Sequence, residues 1–138
     1  RAELFITMFY LSYAPATRTL TYASAGHNQP VLWRARTQTC ERLDAEGLIL
    51  GIKRGVEFDE LQTVLEPGDV LLLYTDGVTE AEGPHQTQFG EDRLCALVGE
   101  HHALPTHEII DGVLHQVRLF TGMHNFNDDV SMVVMRME

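Results

Sequence analysis

Apolar positions in this chain fall into short runs broken by glycine, proline and acidic turns, and the sharpest run is Val70-Leu71-Leu72-Leu73-Tyr74. Set between Gly68 and Gly77, it predicts a buried strand. Asp76 and Gly77 follow it. A carboxylate at the mouth of a buried strand is costly unless a cation meets it, and a glycine there lets the backbone turn or approach a ligand closely. Upstream, Phe5 to Tyr13 is rich in β-branched and aromatic residues and predicts a strand. A turn at Ala14-Pro15-Ala16-Thr17 leads to an alternating segment, Thr19 to Ser24, expected to be its hairpin partner. Val31 to Arg34 predicts a third short strand, with Cys40 to Leu43 pairing across a polar turn. Gly47 to Ile52 is apolar but bracketed by glycines and predicts a loop. Val56 to Leu65 is extended, and Glu66-Pro67-Gly68-Asp69 is a turn.

Beyond Thr79 the pattern turns polar, and Glu80 to Gln88 predicts a loop. The periodicity then becomes helical. Leu94, Leu97 and Val98 mark one face of a helix over Glu91 to Glu100. Ile109, Ile110, Val113, Leu114, Val117 and Phe120 mark a second, with Thr106 as its expected N-cap and Gly122 as its stop. Asn125 to Asp129 is a polar loop, and Val130 to Met135 predicts a last buried strand. Strands, then two helices, then a closing strand indicate an α+β fold with mostly antiparallel sheets in two layers and helices outside.

Composition narrows the functional classes. The 138 residues suggest one domain, and a hydrophobic fraction of 44% suffices for a core. Twenty acids against ten bases give a net charge of −10, which argues against nucleic acid as a partner and is compatible with carboxylate-built cation sites. Cys40 and Cys95 lack metal-type spacing; so few cysteines make a disulfide framework improbable and point to a reducing, cytoplasmic compartment. No run approaches the ~20 apolar residues of a membrane-spanning helix. The chain opens on Arg1 and enters a strand pattern almost at once, as expected of a piece of a longer protein.

Two acidic segments carry the candidate chemistry. Asp76 follows one apolar strand, and Asp128-Asp129 precede another. If those strands are antiparallel neighbours, the acids converge at one sheet edge, where carboxylate oxygens suit Mg²⁺ or Mn²⁺. The plainer reading is a turn at Asp76-Gly77 and a solvated loop at Asp128-Asp129. An aspartyl-phosphate mechanism of the haloacid-dehalogenase type is rejected, because Tyr74 stands where the nucleophilic aspartate should be.

Several segments in order resemble a known family. They are Phe5-Ile6-Thr7-Met8-Phe9-Tyr10, Tyr22 to Pro30 (YASAGHNQP), Pro67 to Ala81 (PGDVLLLYTDGVTEA), Phe89 to Leu94 (FGEDRL) and Asp128 to Val134 (DDVSMVV). Together they are similar to the metal-dependent, protein phosphatase 2C-like phosphatases, in the branch of the bacterial stage II sporulation protein E and the stress-response sigma-factor regulators. The resemblance implies an antiparallel β-sandwich flanked by helices. It also implies two Mn²⁺ or Mg²⁺ ions that activate a water for direct attack on phosphoserine or phosphothreonine. By motif position it implies Asp76 and Asp128 as metal ligands, with Asp129 a weaker candidate where relatives carry Asp or Asn. The family's opening G-D-x-x-G-H-G-like segment, whose aspartate bridges the metals, has no match here, and Gly26-His27 is not a substitute. The resemblance therefore implies that residues 1–138 are the C-terminal part of a single domain, with the first strands and two helices expected before Arg1, and a weak or unformed metal site in this chain alone.

Uncovered sheet edges would then favour self-association, such as a homodimer. The implied substrate is a phosphorylated regulatory protein such as an anti-sigma-factor antagonist. The rival is a non-catalytic binding module that keeps the fold and lacks the first metal motif. His27 reads as a hydrogen-bonded turn residue or as a group near substrate. His101-His102 reads as a solvated helix end, and Trp33, Met132 and Met135 as core. Glu80 and Glu82 read as a solvated loop or as contacts to a metal-bound water.

Overall fold

The all-apolar run from Val70 to Tyr74 forms β6, a central strand of a four-stranded antiparallel sheet. In the computed structural model, which describes residues 4–122, 126 and 128–138, that sheet has the order β4-β3-β6-β7, from Thr39–Arg42, Val31–Arg34, Val70–Tyr74 and Met132–Arg136. A second antiparallel sheet has the order β1-β2-β5, from Met8–Ala14, Thr19–Ala25 and Leu61–Val64. Among the described residues three α-helices, α1 (Asp76–Thr79), α2 (Gly90–His101) and α3 (Thr106–Phe120), and a 3-10 turn at Pro84–Gln86 lie between β6 and β7 in the chain. Antiparallel sheets with helices between them are the α+β class expected from the sequence.

The chain divides into two compact units, Arg1–Gln29 with Leu43–Leu65, and Pro30–Arg42 with Glu66–Glu138. The first holds the three-stranded sheet. Its hairpin pairs Met8 with Ala25 through Ala14 with Thr19. β5 is shorter than the extended segment Val56 to Leu65, because only Leu61 to Val64 find partners, Tyr22 to Thr19 of β2. Met8 and Tyr10 of β1 are exposed and join Ala23, Ala25, Leu50 and Phe58 around an apolar groove of about 180 Å³. His27 makes the local contacts of the turn reading: its backbone N–H donates to Ser24 Oγ at 3.2 Å, and its Nδ1 lies 3.2 Å from the Asn28 carbonyl.

The second unit carries the main core. Val31 and Trp33 of β3 and Val70, Leu72 and Tyr74 of β6 alternate onto one sheet face. There they pack with Leu94, Leu97 and Val98 of α2 and Ile109, Val113 and Val117 of α3. Each fully buried Leu or Val contributes on the order of 1.5–3 kcal/mol, so this layer dominates the unit. Trp33 stacks on His102 with ring centroids 3.9 Å apart, and the His101 ring closes on Gly112. These histidines pack against the fold, and are not the solvated helix end expected. Met132 and Met135 are half-buried, and Met132 packs on the core. Among the described residues no helix is long and apolar enough to cross a membrane.

Three further expectations need correction. The N-cap of α3 is Pro105. Its carbonyl accepts from Glu108 and Ile109, and Thr106 is already inside the helix. Gly122 does end α3, with φ of +73°. The disulfide that so few cysteines made improbable is present, joining Cys40 of β4 to Cys95 of α2 with Cα atoms 5.9 Å apart, so the cysteine count no longer argues for a reducing compartment. Asp69 is more than a turn residue. It is 1% exposed, and its carboxylate accepts from Arg34 at 3.2 Å, Ala35 N–H at 2.9 Å and Glu66 N–H at 2.9 Å.

Candidate functional site

β6 and β7 are antiparallel neighbours, with Tyr74 paired to Met132. The end of one and the start of the other therefore share an edge of the sheet. Thr75 stitches that edge. Its backbone N–H donates to the Ser131 carbonyl at 3.1 Å, and its hydroxyl accepts from Ser131 N–H at 3.0 Å and donates to the Asp129 carbonyl at 3.2 Å. Gly77 completes the junction, because a Cβ there would collide with the Asp129 carbonyl oxygen. The need for glycine is close approach. Asp76 opens α1, whose first turn is closed by Glu80 N–H donating to the Asp76 carbonyl at 2.8 Å. Sequence reading missed that helical turn, for Asp-Gly-Val-Thr has turn composition and only four residues.

Asp76, Asp128 and Asp129 thus belong to two segments held together at one edge. All three side chains are exposed. The cost argued from a buried acid at the strand end does not apply to Asp76; the buried acid of this strand is Asp69, at its start. Asp128 Oδ1 accepts from the Asp129 N–H at 2.7 Å. Asp128 also lines a cleft of about 170 Å³ with Gly77, Glu80, Ala81, Glu82 and Gln88. Asp76 and Asp129 do not line it. Exposed carboxylates are suitable donors for a hard divalent cation, but among the described residues no group of three His, Cys, Asp or Glu side chains is placed to hold one. Asn125 and Asn127, in the polar loop before Asp128, lie outside the described residues.

Behind the edge, Tyr74 closes the core. Its hydroxyl is buried and, among the described residues, has no partner at full hydrogen-bonding geometry; the Glu91 carboxylate is the acceptor that acts on it. Burial first, then the negative charge of Glu91, pushes its pKa well above the ordinary phenol value. Glu91 is itself held by Arg42 at 2.9 Å, and Arg42 also bonds Asp92 at 2.9 Å. A buried phenol of this kind belongs to the core and is not a nucleophile. The residues that sequence reading undervalued are Thr75, whose two-way bonding becomes visible only from the strand register, and Gln88, brought to the cleft by the fold of its loop.

Comparison with known proteins gives the same frame. The model of the family described as Stage II sporulation protein E (SpoIIE) matches residues 1–138. The chain is 32% identical over 135 residues to phosphoserine phosphatase RsbU of Bacillus subtilis, covering 98% of this chain and 40% of that protein. It is 30% identical over 131 residues to protein IcfG of a Synechocystis species, covering 20% of that protein. Among solved structures, the RsbU and RsbW domains of a Mycobacterium tuberculosis protein superpose with a TM-score of 0.79 at 26% identity, over 94% of this chain and 35% of that one. The phosphatase domain of SpoIIE from Bacillus subtilis, presoaked with Mn, superposes with a TM-score of 0.68 at 19% identity, over 96% and 56%. The fold is that of the protein phosphatase 2C-type domains, and the chain spans well under two-thirds of each of these relatives. Matched along its whole length, this chain belongs to the stage II sporulation protein E (SpoIIE) family.

Proposed function

We propose that the chain is the C-terminal part of a single metal-dependent phosphatase domain that removes phosphate from serine or threonine of a regulatory protein. One observation carries this reading: Thr75 and Gly77 lock the Asp76 and Asp128-Asp129 segments to one edge of a sheet in a chain of a family whose relatives are named phosphoserine phosphatases. Asp76 and Asp128 are the proposed ligands for Mn²⁺ or Mg²⁺, with Asp129 a weaker third. When bound, such ions lower the pKa of water toward neutrality and neutralise phosphoryl charge. The chain's own residues fix the carboxylates in register, through Thr75, and wall the neighbouring cleft, through Glu80, Glu82 and Gln88. The proposed substrate is a phosphorylated anti-sigma-factor antagonist or a similar small protein, and the proposed compartment is the cytoplasm.

A non-catalytic binding module is the second reading. It is favoured by the incomplete donor set, and exposed acids at the edge carry no burial cost that would select for their loss. Mn²⁺-dependent hydrolysis of p-nitrophenyl phosphate, beside calorimetric Mn²⁺ binding, separates the two. The phosphatase reading expects both in the full-length protein and loss of both in Asp76→Asn. Silence of the full-length protein toward aryl phosphate and Mn²⁺ alike sinks it.

A further inference from the structure

We propose that Arg93 is a positioning residue: it holds the Ala81–Phe89 loop as one wall of the cleft that Asp128 lines, and so sets how a protein substrate is seated there. The inference rests on the phosphatase reading above. Arg93 lies in the first turns of α2, and its Nη1 donates to the carbonyls of Gln88 at 3.0 Å and Phe89 at 2.8 Å. Its guanidinium carbon sits 4.6 Å from the centroid of the Phe120 ring. That ring meets Phe89 edge-on, with centroids 5.5 Å apart, and closes on Gly83, where a Cβ would come within 2.6 Å of ring carbons. Phe120 therefore touches both arms of the loop, and Arg93 covers Phe120 while gripping the second arm. The arms are joined by Gly83 N–H donating to the Thr87 carbonyl at 2.7 Å and Phe89 N–H donating to the Ala81 carbonyl at 2.8 Å. Glu82 and Gln88, which line the cleft with Asp128, lie one on each arm.

The chemistry suits arginine alone. In a chain with twice as many acids as bases, an exposed arginine has carboxylates in plenty, yet Arg93 directs its donors to two backbone carbonyls. A lysine could reach one carbonyl but offers no planar face to the ring. Nothing in this arrangement bonds Asp76, Asp128 or Asp129, and of these three proposed metal ligands only Asp128 lines the cleft that the loop walls.

The test uses the full-length protein and its Arg93→Lys and Arg93→Gln variants, assayed on p-nitrophenyl phosphate and on phosphorylated casein, with amide hydrogen exchange in parallel. In both variants the amides of Gly83 and Phe89 should exchange about tenfold faster while that of Leu72 in β6 does not change. KM for the phosphoprotein should rise about tenfold, with kcat on the aryl phosphate held within about twofold. Unchanged exchange at Gly83 and Phe89 overturns the assignment of Arg93 alone. Equal losses on both substrates, with a lower Tm, overturn it in favour of a purely structural role. A parental protein silent on both phosphates removes the phosphatase reading and the substrate half of this proposal together, while the exchange data still judge the loop.

Discussion

Asp69 shows how differently two acids of one strand are used. At the start of β6 it is buried and takes Arg34 and two backbone N–H groups; at the end, Asp76 is exposed. Breaking a buried, fully bonded acid leaves its partners stranded, so Asp69→Ala should cost about 3 kcal/mol in urea unfolding, whereas Asp76→Asn should change stability by less than about 0.5 kcal/mol. Equal costs would mean that Asp76 is structural. Tyr74→Phe removes a buried hydroxyl that lacks a well-formed hydrogen bond and should raise stability by about 1 kcal/mol. A loss instead would mean that Glu91, whose charge opposes Tyr74 ionisation, accepts a real hydrogen bond in solution. Gly77→Ala should cost about 1–3 kcal/mol, since its Cβ must push the Asp129 carbonyl aside. It should also weaken Mn²⁺ binding as measured by calorimetry.

Among the elements, β4 and α2 are tied by the disulfide between Cys40 and Cys95, 55 residues apart. Closing a loop of that length is worth about 4 kcal/mol in chain entropy. Dithiothreitol should therefore lower the Tm of the parental protein by several degrees and leave a Cys40→Ser variant unmoved; a parental Tm indifferent to reductant means that the thiols stay free. No spacing rule could have shown this pair, because it depends on the register that places Cys40 opposite Trp33 and on α2 packing over that strand. The same boundary runs through the rest of the fold. Val70 to Tyr74 was legible because its hydrophobicity alone demands burial. α3 was legible because Ile109, Val113 and Val117 keep helical spacing. β5 was legible only in outline, since its limits are set by which residues of β2 remain to be paired. Of the candidate site, the two acidic segments and their shared edge could be anticipated from two apolar strands, but the cleft could not, because Gln88 reaches it through a loop folded by Arg93 and Phe120.

At the scale of the molecule, the first unit leaves Leu4, Phe5, Ile6, Met8, Tyr10, Ile52 and Val64 about half exposed or more. An apolar surface of this kind favours association, which the net charge of −10 opposes. Salt screens that repulsion within about 8 Å at physiological ionic strength. Sedimentation of this chain should therefore show self-association that strengthens between low and physiological salt, and a strict monomer at both would count against a homodimer. The position of β7 has a further consequence, for the life of the chain before it is complete. β6 is flanked by β3 on one side and by β7 on the other, and β7 is synthesised after the other six described strands. Until the ribosome has delivered it, the uncharged Val-Leu-Leu-Leu-Tyr ribbon presents an open edge of the kind that recruits strands from other chains. This later strand both shields the sticky edge and carries the Asp128-Asp129 segment to the edge where Asp76 lies, so a nascent chain gains that junction in the same step that removes its main hazard of aggregation.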